Sequence, residues 1–184
     1  MKRSSTYWAA LCLLVASLLG ACAPGSSSTA GEDTQSDLEA VLQAPPRLSA
    51  GEPVEVEFTL INHTETGLYV LTWYTPLEGI AGEIFRVERD GRSIPYEGLL
   101  ASRDVPTAED YVFLEPGESA SATVDLATVY DFSGPGEYTI AFISPRISHV
   151  ARSEEEMATS MDDLGPVEIA SDNIVVEIQD SAGE

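Results

Sequence analysis

This 184-residue chain predicts an all-β fold, an immunoglobulin-like antiparallel β-sandwich of seven to nine strands. Three observations predict it. Beyond residue 37, short apolar and β-branched runs recur between Gly, Pro, Asn and Asp turns. Within the runs, apolar and polar residues alternate, the two-residue period of a half-buried strand. Tyr138 follows the turn Ser133-Gly134-Pro135-Gly136. Sandwiches of this type place a tyrosine there, hydrogen-bonded back across the corner, although plain core packing accounts for Tyr138 equally well.

The elements follow in order. Leu38 to Leu42 is a first strand, stopped by Pro45-Pro46. Val54, Val56, Phe58 and Leu60 alternate with Glu55, Glu57 and Thr59, so one face is apolar and the other wet. Asn62-His63-Thr64 begins a turn. It matches a glycosylation acceptor, but reads better as a turn with Asn62 left-handed. Leu68 to Tyr74 is the next strand, with Trp73 near its end. Ile84 to Arg89 meets Asp90-Gly91, a hairpin signal, and Ile94 to Tyr96 is the short partner. Tyr111 to Leu114, Ala120 to Leu126, Tyr138 to Phe142 and Asn173 to Ile178 complete the set. Between Ser144 and Asp172 the alternation lapses. Met157, Met161 and Leu164 stand at helical spacing within Ser153 to Leu164, so a short helix or a long excursion precedes the last strand.

The first residues read as an export signal. Lys2 and Arg3 are basic, Tyr7 to Leu19 is apolar except for Ser17, and Leu19-Gly20-Ala21-Cys22 has the form of a lipobox. The apolar run is shorter than the roughly 20 residues that span a bilayer. The expectation is a signal peptide over 1–21, cleavage before Cys22 and lipid on its thiol. Residues 22–37 form a flexible acidic tether, 38–180 one domain and 181–184 a disordered tail. Acyl chains anchor stably because each buried methylene contributes about 0.8 kcal/mol. The location is then the bacterial cell envelope, and Ala23 favours the outer membrane.

Composition narrows the partners. All 31 acids lie beyond residue 21, and losing Lys2 and Arg3 turns the net charge of −22 into −24. Nucleic acid is excluded, because its binding begins with cationic contacts to phosphate. A salt-adapted proteome accounts for the acidity. Calcium on acidic loops is the sharper reading, but no EF-hand-type loop is present. Cys12 leaves with the signal and Cys22 is lipidated, so the fold rests on its apolar core alone.

The inventory of chemistry is thin. There is no H-E-x-x-H, G-x-S-x-G, P-loop or G-x-G-x-x-G pattern. His63 and His149 are the two histidines. The expectation is a non-enzyme with no cofactor, no metal and no catalytic residue.

With the strands placed, one stretch resembles a known family. Its pieces are Val70 to Gly79 (VLTWYTPLEG), Phe85-Arg86-Val87 with Asp90-Gly91, and Tyr96-Glu97-Gly98. They continue through Arg103, Pro106, Glu109-Asp110-Tyr111, Leu114 to Glu118, Val124-Asp125-Leu126, Tyr130-Asp131 and Pro135 to Tyr138. Asn62 to Ile140 is similar to the non-catalytic N-terminal region of bacterial deuterolysin-type, peptidyl-Lys zinc metalloendopeptidases. In those enzymes the zinc site lies in a following domain with H-E-x-x-H, which this chain does not contain, so hydrolysis does not carry over.

The resemblance implies a protease-accessory or inhibitor-like binding module whose partners are the membrane, through Cys22, and a secreted metalloprotease. The alternative is a structural or envelope-binding surface lipoprotein with no protease partner. The candidate contact surface is Thr75, Pro76, Leu77, Glu78 and Gly79 together with Arg103, Glu109 and Asp110, since loops at sandwich ends often bind. Turn geometry alone explains Pro76, Gly79 and Pro106, and core packing explains Trp73. Lys2 is the only lysine. Arginine-favouring codons account for that, while the resemblance adds a second reason: survival beside a Lys-specific endopeptidase.

Overall fold

The computed structural model describes residues 36–143 and 147–180. The signal segment 1–21, Cys22, most of the tether and the tail 181–184 lie outside the described residues.

Twelve strands run through the described part. They are β1 (Leu38–Gln43), β2 (Arg47–Ser49), β3 (Glu55–Asn62), β4 (Leu68–Leu71), β5 (Phe85–Arg89) and β6 (Arg92–Ile94). Then follow β7 (Tyr111–Leu114), β8 (Ser119–Asp125), β9 (Gly136–Phe142), β10 (Val150–Ala151), β11 (Ala170–Ser171) and β12 (Ile174–Gln179). One layer has the order β11-β1-β3-β8 and the other β2-β12-β9-β5-β6, with β10-β4-β7 as a small third sheet.

The alternation seen in the sequence decides which faces meet. In β3 the even residues Val56, Phe58 and Leu60 are buried, while Glu55 and Glu57 face water. In β9 Tyr138, Ile140 and Phe142 point inward. Phe58 and Phe142 touch across the layers with ring centroids 5.1 Å apart, and Phe85 lies 6.0 Å from Phe142. Such aromatic contacts join the two sheets into one sandwich core.

Two prolines move the chain between layers. Pro45 and Pro46 have no N–H to continue the β1 ladder. The chain crosses there, and β2 pairs in parallel with β12 of the opposite layer. The Pro46 carbonyl accepts from Glu177 N–H at 2.9 Å. Near the start of β9 the Tyr138 hydroxyl donates to the Gly134 carbonyl at 2.8 Å, so the corner bond exists. The ring is also fully buried, so core packing and corner coincide. The fold is all-β and immunoglobulin-like, as the alternation predicts.

Several boundaries differ from expectation. Asp90 and Gly91 both adopt positive φ, 49° and 75°, the primed hairpin turn that twists with its strands. That turn pairs Arg89 with Arg92, so β6 is Arg92–Ile94 rather than Ile94 to Tyr96, and Pro95 ends it. β4 stops at Leu71 rather than Tyr74, because Tyr74 turns the chain at φ 60°. Asn62 is not left-handed: it ends β3, buried, and its amide donates to the carbonyls of Thr66, Leu114 and Glu115.

No α-helix forms among the described residues between β9 and β12. Two single 3-10 turns stand there, Glu154–Glu156 and Met161–Asp163. Each is closed by a carboxylate folding back, Glu156 onto Arg152 N–H and Asp163 onto Ser160 N–H, both at 2.8 Å. These local bonds compete with helix propagation. Short pairings β2, β10 and β11 raise the strand number above nine, and two or three residues carry too little pattern to be foreseen.

Candidate interaction site

The loops after β4 and before β7 meet at one corner of the sandwich. The construction begins at Trp73-Tyr74. Thr75 caps the 3-10 turn Pro76–Glu78, its hydroxyl accepting from Leu77 N–H at 3.2 Å and donating to the Thr72 carbonyl at 2.6 Å. Gly79, at φ 88°, closes the turn by donating to the Pro76 carbonyl at 2.9 Å. The turn aims Glu78 back at the chain, where it accepts the Tyr74 N–H at 2.8 Å. A left-handed tyrosine costs about 1–3 kcal/mol, and that bond helps hold it.

Arg103 arrives from the second loop. Its guanidinium pairs with Glu78, and both side chains are largely buried, 16% and 13% exposed. The guanidinium carbon also lies 5.2 Å from the Trp73 ring centre and 5.7 Å from that of Tyr74. Arg103 Nε is buried without a hydrogen-bond partner among the described residues, so stacking and a single carboxylate hold the group.

Asp110 ties the two loops. Its Oδ1 accepts the Trp73 indole N–H at 3.0 Å. Its Oδ2 accepts Thr107 N–H at 2.8 Å and the Thr107 hydroxyl at 2.9 Å, closing the turn Ala108–Asp110 as a capping box. Its carbonyl accepts from Thr72 N–H at 2.9 Å.

Burial pushes the Glu78 carboxyl above its ordinary value, against the Tyr74 N–H and the Arg103 charge. Asp110 goes the other way. Burial opposes its ionisation, but the Thr107 and Trp73 hydrogen bonds and Arg103 together hold it below its ordinary value. The two neighbouring carboxyls are therefore shifted in opposite directions.

The sequence-derived set is thus brought to one corner but divides by burial. Thr75 and Pro76 are buried, Leu77, Glu78, Gly79, Arg103 and Asp110 are partly covered, and Glu109 is exposed. Trp73 is buried beneath them. Buried members shape the corner; exposed ones are available to a partner. Sequence reading passed over Leu99 and Leu100, which stand fully out from the loop leading to Arg103. Two adjacent leucines directly after Gly98, outside any alternating run, were the available signal.

The histidines stand apart in chemistry. His63 Nε2 lies 2.6 Å from a Glu39 carboxylate oxygen, while His149 Nδ1 meets the Tyr111 hydroxyl at 3.0 Å. Among the described residues no group of three or more His, Cys, Asp or Glu side chains could hold a metal ion. Nor is any described helix long and apolar enough to cross a membrane.

Comparison with known proteins points to proteases. No family model matches the chain. It is 29% identical over 123 residues to an extracellular protease of Aeromonas hydrophila, covering 67% of this chain and 35% of that protein. It is 26% identical over 98 residues to the neutral protease 2 homolog MEP8 of Coccidioides posadasii, strain C735, covering 52% and 27%. The chain thus spans about a third of the length of these relatives, and its similarity to proteases is distant and partial. Among solved structures, the CARDB domain of PF1109 from Pyrococcus furiosus superposes with a TM-score of 0.34 at 16% identity, over 77% of this chain and 94% of that one. PapD-like domain 7 of human CEP192 gives 0.31 at 12% identity, over 82% and 89%.

Proposed function

We propose that the chain is a non-catalytic lipoprotein module, anchored to the cell envelope through lipid on Cys22, that binds a secreted metalloprotease and regulates or inhibits it. The observation that carries this reading is the similarity over two thirds of the chain to a protease of which it spans only a third. A β-sandwich with a built corner at one end is compatible with an accessory role. The sequence carries neither an H-E-x-x-H nor a G-x-S-x-G pattern, in keeping with that role. Glu78, Arg103 and Asp110 then position the loops, and exposed residues beside them make the contact.

The test is direct. The whole chain is added to the secreted metalloendopeptidase of the same cells, and complex formation and the cleavage rate of a casein substrate are followed. A stoichiometric complex with an altered rate supports the reading. No complex and an unchanged rate would sink it and leave an envelope-binding lipoprotein.

A further inference from the structure

Leu99 and Leu100 are 87% and 77% exposed, the most exposed large apolar side chains of the described residues. Their loop is nevertheless pinned. Glu97 N–H donates to the Val129 carbonyl at 2.9 Å, and Ala101 N–H to the Ala81 carbonyl at 2.9 Å. The Tyr96 hydroxyl donates to the Leu99 carbonyl at 2.8 Å. Gly98 is packed so closely that a Cβ there would come within 2.3 Å of the Tyr96 hydroxyl and 2.7 Å of Val129. The leucines are thus held outward from both sides. A preorganised apolar pair loses little freedom when a partner covers it.

The charge around the pair selects the partner. Glu83, Glu97 and Asp104 are exposed carboxylates. Glu83 is near enough to act on the Tyr96 hydroxyl. From Ser93 to Pro106 the one cation is Arg103, and it is committed to Glu78. Beside Glu97 opens a cleft of about 670 Å³, lined by Glu52 and Asp131 over Tyr130 and Phe132. Arg89 partly offsets Asp131. A second copy of so acidic a chain and an anionic membrane are both repelled.

We propose that the Leu99-Leu100 tip docks a protein surface that is apolar at its centre and basic at its rim. This rests on the reading of the chain as a binding module and names its contact surface. Leucines supply the desolvated anchor, and the carboxylates supply register and salt-dependent attraction.

The test uses the whole chain in mild detergent and three fluorescent 14-residue probes: an amphipathic Leu/Arg peptide, its Leu/Glu counterpart and an all-Arg peptide. Anisotropy should show the Leu/Arg peptide binding best, more weakly in high salt. Leu99→Ser/Leu100→Ser should weaken it at least tenfold, while Val175→Ser, another exposed apolar site on β12, should leave it within twofold. Circular dichroism checks that the variants fold.

Equal binding by the double variant, equal binding of the all-Arg peptide, or no binding would overturn the proposal. So would a tip-dependent dimer in sedimentation or tip-dependent binding to phosphatidylcholine vesicles. If the wild type and the double variant change the protease rate equally, the tip is wrong and the protease reading stands. If the peptide result holds while the protease is indifferent, the docking tip stands and the protease is the wrong partner.

Discussion

The Arg103 guanidinium lies 5.2 Å from the centre of the Trp73 ring, whose indole N–H is donated to Asp110. One aromatic side chain thus joins the loop after β4 to the loop before β7. Cation–π stacking contributes about 0.5–2 kcal/mol, more where water is excluded.

Removing the cation should therefore be costly. Arg103→Met leaves Glu78 buried without its partner, and breaking such a pair costs about 3–5 kcal/mol. The urea midpoint should fall by a corresponding amount. Arg103→Met/Glu78→Gln should recover part of it, because no uncompensated charge remains. A double variant as unstable as the sum of the singles would show that the two residues do not interact.

The corner bond of Tyr138 is isolated from the packing of its ring. Tyr138→Phe keeps the ring against Phe132, at 4.7 Å, and removes the hydroxyl bonded to Gly134. The expected loss is about 1 kcal/mol with an unchanged slope in urea. A neutral outcome would assign Tyr138 to packing alone.

Asn62 illustrates a motif emptied of function by burial. Its amide nitrogen faces three carbonyls, and its Oδ1 accepts from Thr64 N–H at 2.9 Å. Asn62→Ala should cost about 2–3 kcal/mol, since several buried groups lose their partner. Produced in a glycosylating host, the folded chain should show no glycan mass at Asn62.

The two corner carboxylates give opposite pH dependence. Asp110 is held below its ordinary 3.8, so its contribution is present above that value and lost as pH falls through the folded-state value. Glu78 is raised above its ordinary 4.5, so its protonation adds stability at low pH that is lost as pH rises. The stability gap between wild type and Asp110→Asn should be constant well above Asp110's ordinary 3.8 and shrink as pH falls below it. For Glu78→Gln the comparison should tilt the other way. Urea titrations across pH 3–7 measure both.

Anchoring has its own check. Cys22→Ser should release a folded, soluble chain from the membrane fraction, read by fractionation and immunoblot. Retention in the membrane pellet would contradict the lipobox reading.

Strands of five or more residues were legible because alternation over that length has one consistent inside face, as in β3 and β9. The Asp90-Gly91 hairpin was legible because positive φ at both positions is cheap only for such residues. Thr75 to Gly79 were singled out together with Arg103, Glu109 and Asp110, and the fold places them at one corner. Their internal division was not legible. Whether Glu78 faces Arg103 or solvent depends on how two loops 25 residues apart in sequence meet.

By itself the sequence determined the all-β class, the main strands and the acidic character, because each depends on local pattern or composition. Tertiary structure decided the rest. It buried Asn62, turned Tyr74 left-handed, made the stretch before the last strand an excursion with two single 3-10 turns rather than a short helix, and left Leu99 and Leu100 in water. These depend on which distant groups satisfy a backbone or side-chain hydrogen bond, and only the folded chain brings such groups into contact.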